Sequence, residues 1–469
     1  SIKLILERIE KSYHEFLDKY LGPDDSMLLP RETNFRWIPL FFCCFLSFGT
    51  YYGHDTPALL QTEIQRVFDI TTTRFNLLFS FFYLPCIIMP FLGGLLTDKM
   101  GIRTGMFLFS ILILLGQALV TYGMSNLSFE LMIVGRFLHG LGHDCLLVGK
   151  KAIIAKWFLK GEIAFAMGLG LCISRLGSSL GSYTTPRIYM VTEDLSYPFL
   201  VGVYTCIFST ICVLILNSVD RYADMKELKR SLSHMKEDFE MSDLKRFPFI
   251  YYLLLMSCLS LYPVFFSFMN NASDMMVHRF GFDLRSAGSY ISIVYSMSTL
   301  MTPLIGLFAD KYGRKLYIIL FASMIPFLTH FYIAFLEDTE EPNENMVIAL
   351  VAFGLFYSCY ASILWPCITA VVMEKVRATA YGIVISLENL LLTILPLIVG
   401  RIHDLSLEIS SGYFFVEILY GTLSVLGIFI AVWLIKEDKN IGETLNARIG
   451  EVKQDNELLL TQAIKNIQM

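Results

Sequence analysis

The stretch GGLLTDKMGIR, residues 93–103, follows directly on an apolar run that begins near Phe75. Glycines, one aspartate and two cations break the run at a single point. The pattern returns as IGLFADKYGRK at residues 305–315, where Asp310 matches Asp98, Lys311 matches Lys99 and Gly313 matches Gly101, all at one offset of 212 residues. A pattern that recurs at a fixed spacing marks an internal repeat, so the chain reads as two related halves.

Around this pair the composition sets the class. Of 469 residues 55% are hydrophobic and 17% charged, and the mean hydropathy is +0.57. That is far above a soluble domain, and a helix needs about 20 mostly apolar residues to cross a bilayer. Twelve such runs are predicted, at about 36–54, 74–96, 104–124, 129–157, 161–187, 197–218, 248–271, 287–309, 316–336, 345–374, 376–402 and 413–435. The net charge of −5 is small for this length and no basic tail points to nucleic acid. The ten cysteines lie mostly inside apolar runs without CxxC pairs and read as small core residues, with no metal set or cofactor motif. Residues 1–35 are charged and amphipathic, so no cleavable leader is expected and span 1 is predicted to act as a signal anchor.

Lys99, Arg103, Lys156, Lys160, Lys311, Arg314, Lys315, Lys375 and Arg377 make the even-numbered connections basic, while EDTEEPNEN between spans 9 and 10 is acidic. The positive-inside rule then places both termini and the even-numbered loops in the cytosol. The expected plan is an all-α membrane protein with twelve transmembrane helices in two six-helix bundles. It comprises an N-terminal segment (1–35), a first bundle (36–218), a central cytosolic loop (219–247), a second bundle (248–436) and a C-terminal tail (437–469).

The motif G-x-x-x-D-[RK]-x-G-x-[RK] is met by Gly94, Asp98, Lys99, Gly101 and Arg103, and again from Gly306 through Asp310, Lys311, Gly313 and Arg314 to Lys315. Together with Arg136, Gly140 and Gly142 of an R-x-x-x-G-x-G pattern in span 4, it resembles the major facilitator superfamily. That resemblance implies two bundles rocking about a midplane site, with these motif residues gating the cytosolic side. Within the superfamily, GTYYGHDTPALLQ, GRFLHGLGHD, SRLGSSLGS, LWPCITAVV and TAYGIVISLENL are similar to the lysosomal dipeptide uniporters. This closer likeness implies a lysosomal, endolysosomal or vacuolar membrane and a glycosylated single-pass accessory subunit.

A charge at the bilayer centre costs on the order of 2.5–3.5 kcal/mol on insertion scales, so each one points to a partner or a wet cavity. Asp144 in span 4, Arg175 in span 5 and Glu388 in span 11 stand near mid-span. At about 100° per residue, Arg136, His139, Gly140, His143, Asp144, Lys150 and Lys151 share one face of span 4, which is expected to line the pathway. Asp144 and Arg175 either form a salt bridge between spans 4 and 5 or receive a zwitterion, the acid taking an ammonium and the guanidinium a carboxylate. The dipeptide likeness implies an acid and an arginine at these two positions, but neutral amides where this chain has Lys150 and Lys151; added positive charge suits a more acidic substrate. Glu388 reads either as a hydrogen-bonding group or, with His143, as a proton-coupling candidate.

Tyr51, Tyr52, Tyr357, Tyr360 and Trp365 are aromatic candidates for the mouths of the site, with Pro366 as a bend in span 10. Gly177 and Gly181 are expected to allow close packing against the other half. Asp24, Leu28 and Leu29, and Asp455, Leu459 and Leu460, fit acidic dileucine sorting signals, although ELLLTQAIKNI at the C-terminus also reads as an amphipathic helix. Asn126 opens a glycosylation sequon in the predicted non-cytosolic 3/4 loop. No P-loop, HExxH or nucleophile elbow is present, which argues against an enzyme. The expectation is a facilitator of small zwitterionic solutes, dipeptides or amino acids, in contact with membrane lipids. The alternatives are a proton-coupled symporter of organic anions, or a non-transporting receptor or structural member of a larger membrane complex.

Overall fold

The computed structural model describes residues 30–158, 163–228, 247–372 and 377–446, and every regular element among them is helical. The first half, residues 30–228, carries α1 (Trp37–Phe45), α2 (Phe48–Leu59), α3 (Gln61–Phe68), α4 (Thr72–Cys86), α5 (Met89–Met100), α6 (Ile102–Ser125), α7 (Phe129–Trp157), α8 (Ile163–Thr192) and α9 (Ser196–Leu228). The second half, residues 247–446, carries α10 (Phe249–Phe280), α11 (Leu284–Tyr312), α12 (Lys315–Ala334), α13 (Asn345–Val371), α14 (Arg377–Leu405) and α15 (Phe414–Asn440). Nine helices among the described residues are long and apolar enough to cross a membrane.

Several boundaries differ from the sequence expectation, three of them in ways that matter to the site. Span 1 is not one helix ending at 54: α1 and α2 are separated at Leu46 and Ser47, and helix continues through Leu59 before Leu60 turns the chain into α3. Span 2 is broken at Ile87 and Ile88, between Pro85, which ends the amide ladder of α4, and Pro90, which opens α5. Helix α9 runs to Leu228, well into the stretch read as a central loop.

The repeat extends beyond the opening motif. Gly101 (φ 84°) and Gly313 (φ 71°) occupy corresponding helix-to-helix turns at backbone angles that L side chains avoid. At the opposite face, Asp69 ends α3 and Gly281 ends α10, both left-handed, again at an offset of 212 residues. Two residues on, Thr71 and Asp283 cap α4 and α11 through their side chains. We refer to the two faces as the loop-101 face and the loop-70 face.

Each half is built around its own interior, with Leu59 of the first half joining the second half's cluster and Leu392 of the second joining one of the first's. The second is one continuous cluster from Phe247 to Leu445, including Tyr251, Phe265, Phe353 and Tyr420. The first divides into a cluster around Met106, Phe109 and Trp157 and another around Phe75, Phe79 and Phe129. At the loop-101 face of the first half, the fully buried Asp220 carboxylate accepts from Arg103 Nε (2.7 Å), Lys156 Nζ (2.8 Å), Trp157 Nε1 (2.9 Å) and Arg31 Nη2 (3.2 Å). Asp224, one turn on, joins the same three cations. Arg103 is therefore tied into its own half.

Candidate functional site

Helix α7 has two polar stripes rather than the single pathway-lining face expected from its periodicity. One points into the first half. Arg136, fully buried, donates from Nε to Leu78 O (3.0 Å) and from Nη1 to His54 O (3.2 Å) and Gly53 O (3.5 Å), with Phe79 and Phe82 against its plane. Pro57 lacks the N–H that would have closed the helical bond to Gly53 O, and the guanidinium serves that freed carbonyl instead. Arg136 thus holds α7, α2 and α4 together and does not face a ligand space. His139 is likewise buried on Thr50, 2.8 Å from its Oγ1. The ammonium of Lys150 is saturated by Gly170 O (2.7 Å), Ser47 Oγ (2.8 Å) and Ser174 Oγ (3.0 Å).

The other stripe, His143, Asp144 and Lys151, points between the halves. Asp144 Oδ2 accepts from Asn389 Nδ2 at 2.6 Å, and the same amide donates to Cys86 O at 3.1 Å. Asp144 Oδ1 lies 3.9 Å from His143 Nε2, whose Nδ1 is bonded to Thr50 Oγ1 at 2.8 Å. Arg175 makes no ion pair with Asp144 among the described residues; its guanidinium is framed by Tyr357 at 4.5 Å, Tyr51 at 5.0 Å and Phe266 at 5.4 Å, and Nη2 donates to the Tyr357 hydroxyl. Arg175 Nε is buried without an acceptor. An acid and an arginine thus stand apart, each with capacity left over, which is what a bound zwitterion needs.

Glu388 sits in the field of Asp144, Arg175 and Lys151, and its one hydrogen bond among the described residues is from Cys258 Sγ at 3.8 Å. Lys151 lies over Trp365 and Tyr381, 5.4 Å from each ring. Tyr51 also packs edge-on against His143 at 5.4 Å, whereas Tyr52 is buried on Thr184, 2.7 Å away. The structure therefore brings together Asp144, Arg175, Glu388, Lys151, His143, Tyr51 and Trp365, and leaves Arg136 and Tyr52 in the packing of the first half.

Several contributors escaped the sequence reading. Asn389 escaped because a neutral amide carries no cost signal in a membrane helix, and Tyr381 because it lies among ordinary aromatics. Asp55 was put beyond a span thought to end at 54; it is 2.7 Å from His54 Nδ1 and acts electrostatically on Arg175.

The halves are clamped on the loop-70 face. Asp404, at the end of α14, accepts from Thr72 N (3.0 Å), Thr73 N (2.9 Å) and Thr73 Oγ1 (2.5 Å), so the second half caps a helix of the first. Asn76 Nδ2 donates to Pro396 O (2.8 Å), Thr62 Oγ1 to Asp274 Oδ1 (2.7 Å) and Arg187 Nη2 to Ser289 Oγ (2.8 Å), while Ser179 and Ser296 share a bond of 2.6 Å. Gly400 and Gly288 permit the approach: a Cβ there would stand 2.6 Å from Thr73 Cα or Ser182 O. Gly177 and Gly181, expected to pack across the halves, instead meet Phe48 and Tyr52 of their own half. On the loop-101 side of Arg175 the halves are joined among the described residues only by the long bond from Thr299 Oγ1 to Cys172 O (3.4 Å), and Lys151 is exposed.

Of the gating candidates, Gly101 and Gly313 form the turns described above, Arg314 takes a left-handed conformation and donates its N–H to Asn446 O (2.9 Å), and Lys311 lies over Tyr312. Gly306 has open space about it. The surroundings of Gly94 and the side chains of Asp98, Lys99 and Asp310 lie outside what is described, as do the sorting candidates Asp24, Leu28, Leu29, Asp455, Leu459 and Leu460. Asn126 is exposed just after α6, its Nδ2 on Tyr122 O at 2.8 Å.

The Major Facilitator Superfamily model matches residues 40–398 and 265–459. The lysosomal dipeptide transporter MFSD1 of Mus musculus is 32% identical over 427 residues, covering 89% of each chain. That of Danio rerio is 31% identical over 415 residues, covering 86% of this chain and 87% of its own. The crystal structure of a D-xylose-proton symporter superposes with a TM-score of 0.66 at 14% identity, covering 84% of this chain and 96% of that one. The chain belongs to the major facilitator superfamily and is a multi-pass membrane transporter.

Proposed function

We propose that this transporter is a facilitator of dipeptides that works by alternating access between a lysosomal lumen and the cytosol. The observation that carries the reading is the separated pair, Asp144 held by Asn389 and Arg175 framed by three aromatic rings with no carboxylate partner among the described residues. In it the peptide ammonium lies on Asp144 and the peptide carboxylate on the N–H edge of the planar Arg175 guanidinium, a geometry that lysine does not reproduce. Tyr51 and Tyr357 hold the guanidinium in place and leave its remaining N–H groups for the ligand. The names of relatives about 30% identical over most of the chain support dipeptides and the lysosome.

The twelve apolar runs are read as twelve crossings with both termini cytosolic, which puts the loop-70 face in the lumen. In this arrangement the luminal side is clamped by Asp404 and the site communicates with the cytosol past Lys151. Asn126 then stands on the luminal side, where a sugar can be attached. A second reading, proton-coupled movement, is favoured by Glu388, whose carboxylate lies in the field of Asp144 and among the described residues has only a thiol as donor. An imposed pH gradient that drives accumulation against the peptide gradient decides for it.

The test is counterflow of labelled dipeptide in proteoliposomes. Wild type exchanges the label, and Arg175→Ala reduces exchange to the level of empty liposomes. Wild-type uptake no greater than that of empty liposomes across a broad dipeptide and amino-acid panel overturns the proposal.

A further inference from the structure

We propose that Lys151 makes this site select dipeptides whose C-terminal residue carries an acidic side chain; the inference rests on the dipeptide reading and names the substrate class within it. Adjacent lysines on α7 show the contrast. Lys150 is buried and donates to three oxygens. Lys151 is exposed within reach of both halves, yet among the described residues no oxygen accepts from its ammonium and no carboxylate lies within ion-pair distance. It acts on Asp144 and Glu388 only through space.

What Lys151 has instead is a rigid aromatic seat. Trp365 and Tyr381 flank the ammonium at 5.4 Å each, and the Tyr381 hydroxyl is fixed on Trp365 O at 3.1 Å. Aromatic faces attract a cation without satisfying its N–H groups, so three donors stay available to a ligand oxygen. The same wall leads to Arg175: Trp365 stacks with Tyr262 at 6.3 Å, Tyr262 meets Tyr357 at 5.9 Å, and Tyr357 holds Arg175. Two cations therefore stand at the two ends of one run of aromatic side chains.

A dipeptide with a neutral side chain has one carboxylate and leaves one of these cations unused. Distance selects which peptide uses both. Asp144 and Lys151 are seven residues apart on one helix, about 10 Å along the axis. That is the rise between their backbones, and two extended residues span at most about 7 Å, so with the terminal ammonium on Asp144 and the terminal carboxylate on Arg175 it is the side chain of the second residue that is left to reach toward Lys151. Glutamate or aspartate at that position places a carboxylate there, while a cationic side chain meets repulsion.

Binding of alanyl-glutamate, alanyl-glutamine and alanyl-lysine to the full-length detergent-solubilised protein, followed by thermal shift and by competition for counterflow, tests this. Alanyl-glutamate is expected to bind about tenfold more tightly than its amide isostere, a difference of about 1.4 kcal/mol, with alanyl-lysine weakest. In Lys151→Gln the glutamate-to-glutamine ratio falls to about one, and Lys151→Arg restores it. Equal affinity of wild type for alanyl-glutamate and alanyl-glutamine, or an unchanged ratio in Lys151→Gln, overturns the role of Lys151 and leaves the dipeptide reading standing. Failure of all three peptides to bind wild type overturns both. The wild-type comparison alone is decisive should the variants not fold.

Discussion

Replacing Asp404 with alanine removes the carboxylate by which one half caps a helix of the other. Three hydrogen bonds are lost, to Thr72 N, Thr73 N and Thr73 Oγ1. A hydrogen bond to a charged group contributes on the order of 1.5–3 kcal/mol, and an anion at a helix N-terminus about 0.3–1 kcal/mol more. These do not simply sum, because the Asp404 side chain keeps 13% of its surface and water replaces its partners when the clamp opens. A net loss of about 2–4 kcal/mol from the clamped state follows, roughly 30- to 1,000-fold in the equilibrium between clamped and open. The readout is a cysteine at Ser80, one turn beyond Asn76 on the face of α4 that meets α14 and buried in the clamped state. All ten native cysteines are buried, which keeps the background low. Ser80→Cys combined with Asp404→Ala should react with a membrane-impermeant maleimide, applied from the loop-70 side, at least tenfold faster than Ser80→Cys alone. Asp404→Asn, which keeps one acceptor oxygen, should fall between them. Labelling within twofold of the parent in Asp404→Ala would refute the assignment of Asp404 to the clamp.

Two further outcomes follow from the same contacts. Gly140→Ala places a Cβ 2.0 Å from Phe82 O, where backbone meets backbone and nothing can rotate away; the variant should lose at least about 1–3 kcal/mol, seen as a lower melting temperature and a poorer gel-filtration profile in detergent. Burial works to raise the pKa of Asp283, but hydrogen bonds from Ser286 and from the Arg285 and Ser286 amides outweigh it and hold the carboxyl below its usual value. Its stabilisation is therefore fully present above the unfolded value of about 3.9 and is lost as pH falls through the lowered native one. Asp283→Ala should cost about 1 kcal/mol at pH 5–7, and melting curves of variant and wild type should converge below about pH 3.

The repeat was legible because Gly101 and Gly313, at positive φ in the same turn of both halves, recur with the same aspartate and lysine beside them; the match of Asp69 with Gly281 at the opposite face shows only in the structure, because aspartate also tolerates the left-handed conformation. Asp144 and Arg175 were legible because charge in a membrane helix is costly enough to need a reason. Periodicity could not divide the stripe on α7, since Arg136 and His143 lie about 20° apart around the helix while one is held inside the first half and the other stands beside Asp144. Where α2 stops could not be read either, because Gly49, Gly53 and Pro57 weaken the apolar signal, and Asp55 was misplaced with it. The clamp was invisible for another reason. Threonine amides, serine hydroxyls and a proline carbonyl look ordinary one at a time, and only the fold sets Thr73 against Asp404 across 331 positions of sequence.

The clamp and the ligand groups lie at different depths along the same helices, and that has a mechanical consequence. On α8, Arg175 meets Tyr357 of the other half while Arg187, twelve residues on, meets Ser289, a lever arm of about 18 Å. A rotation of about 15°, of the kind bundles and subunits make in switching, swings the far end by about 5 Å and parts the Arg187–Ser289 contact, while a group at the fulcrum hardly moves. A cargo carried on Arg175 would then rest at the point of least displacement, and the two halves could exchange which side is shut without tearing it from its seat.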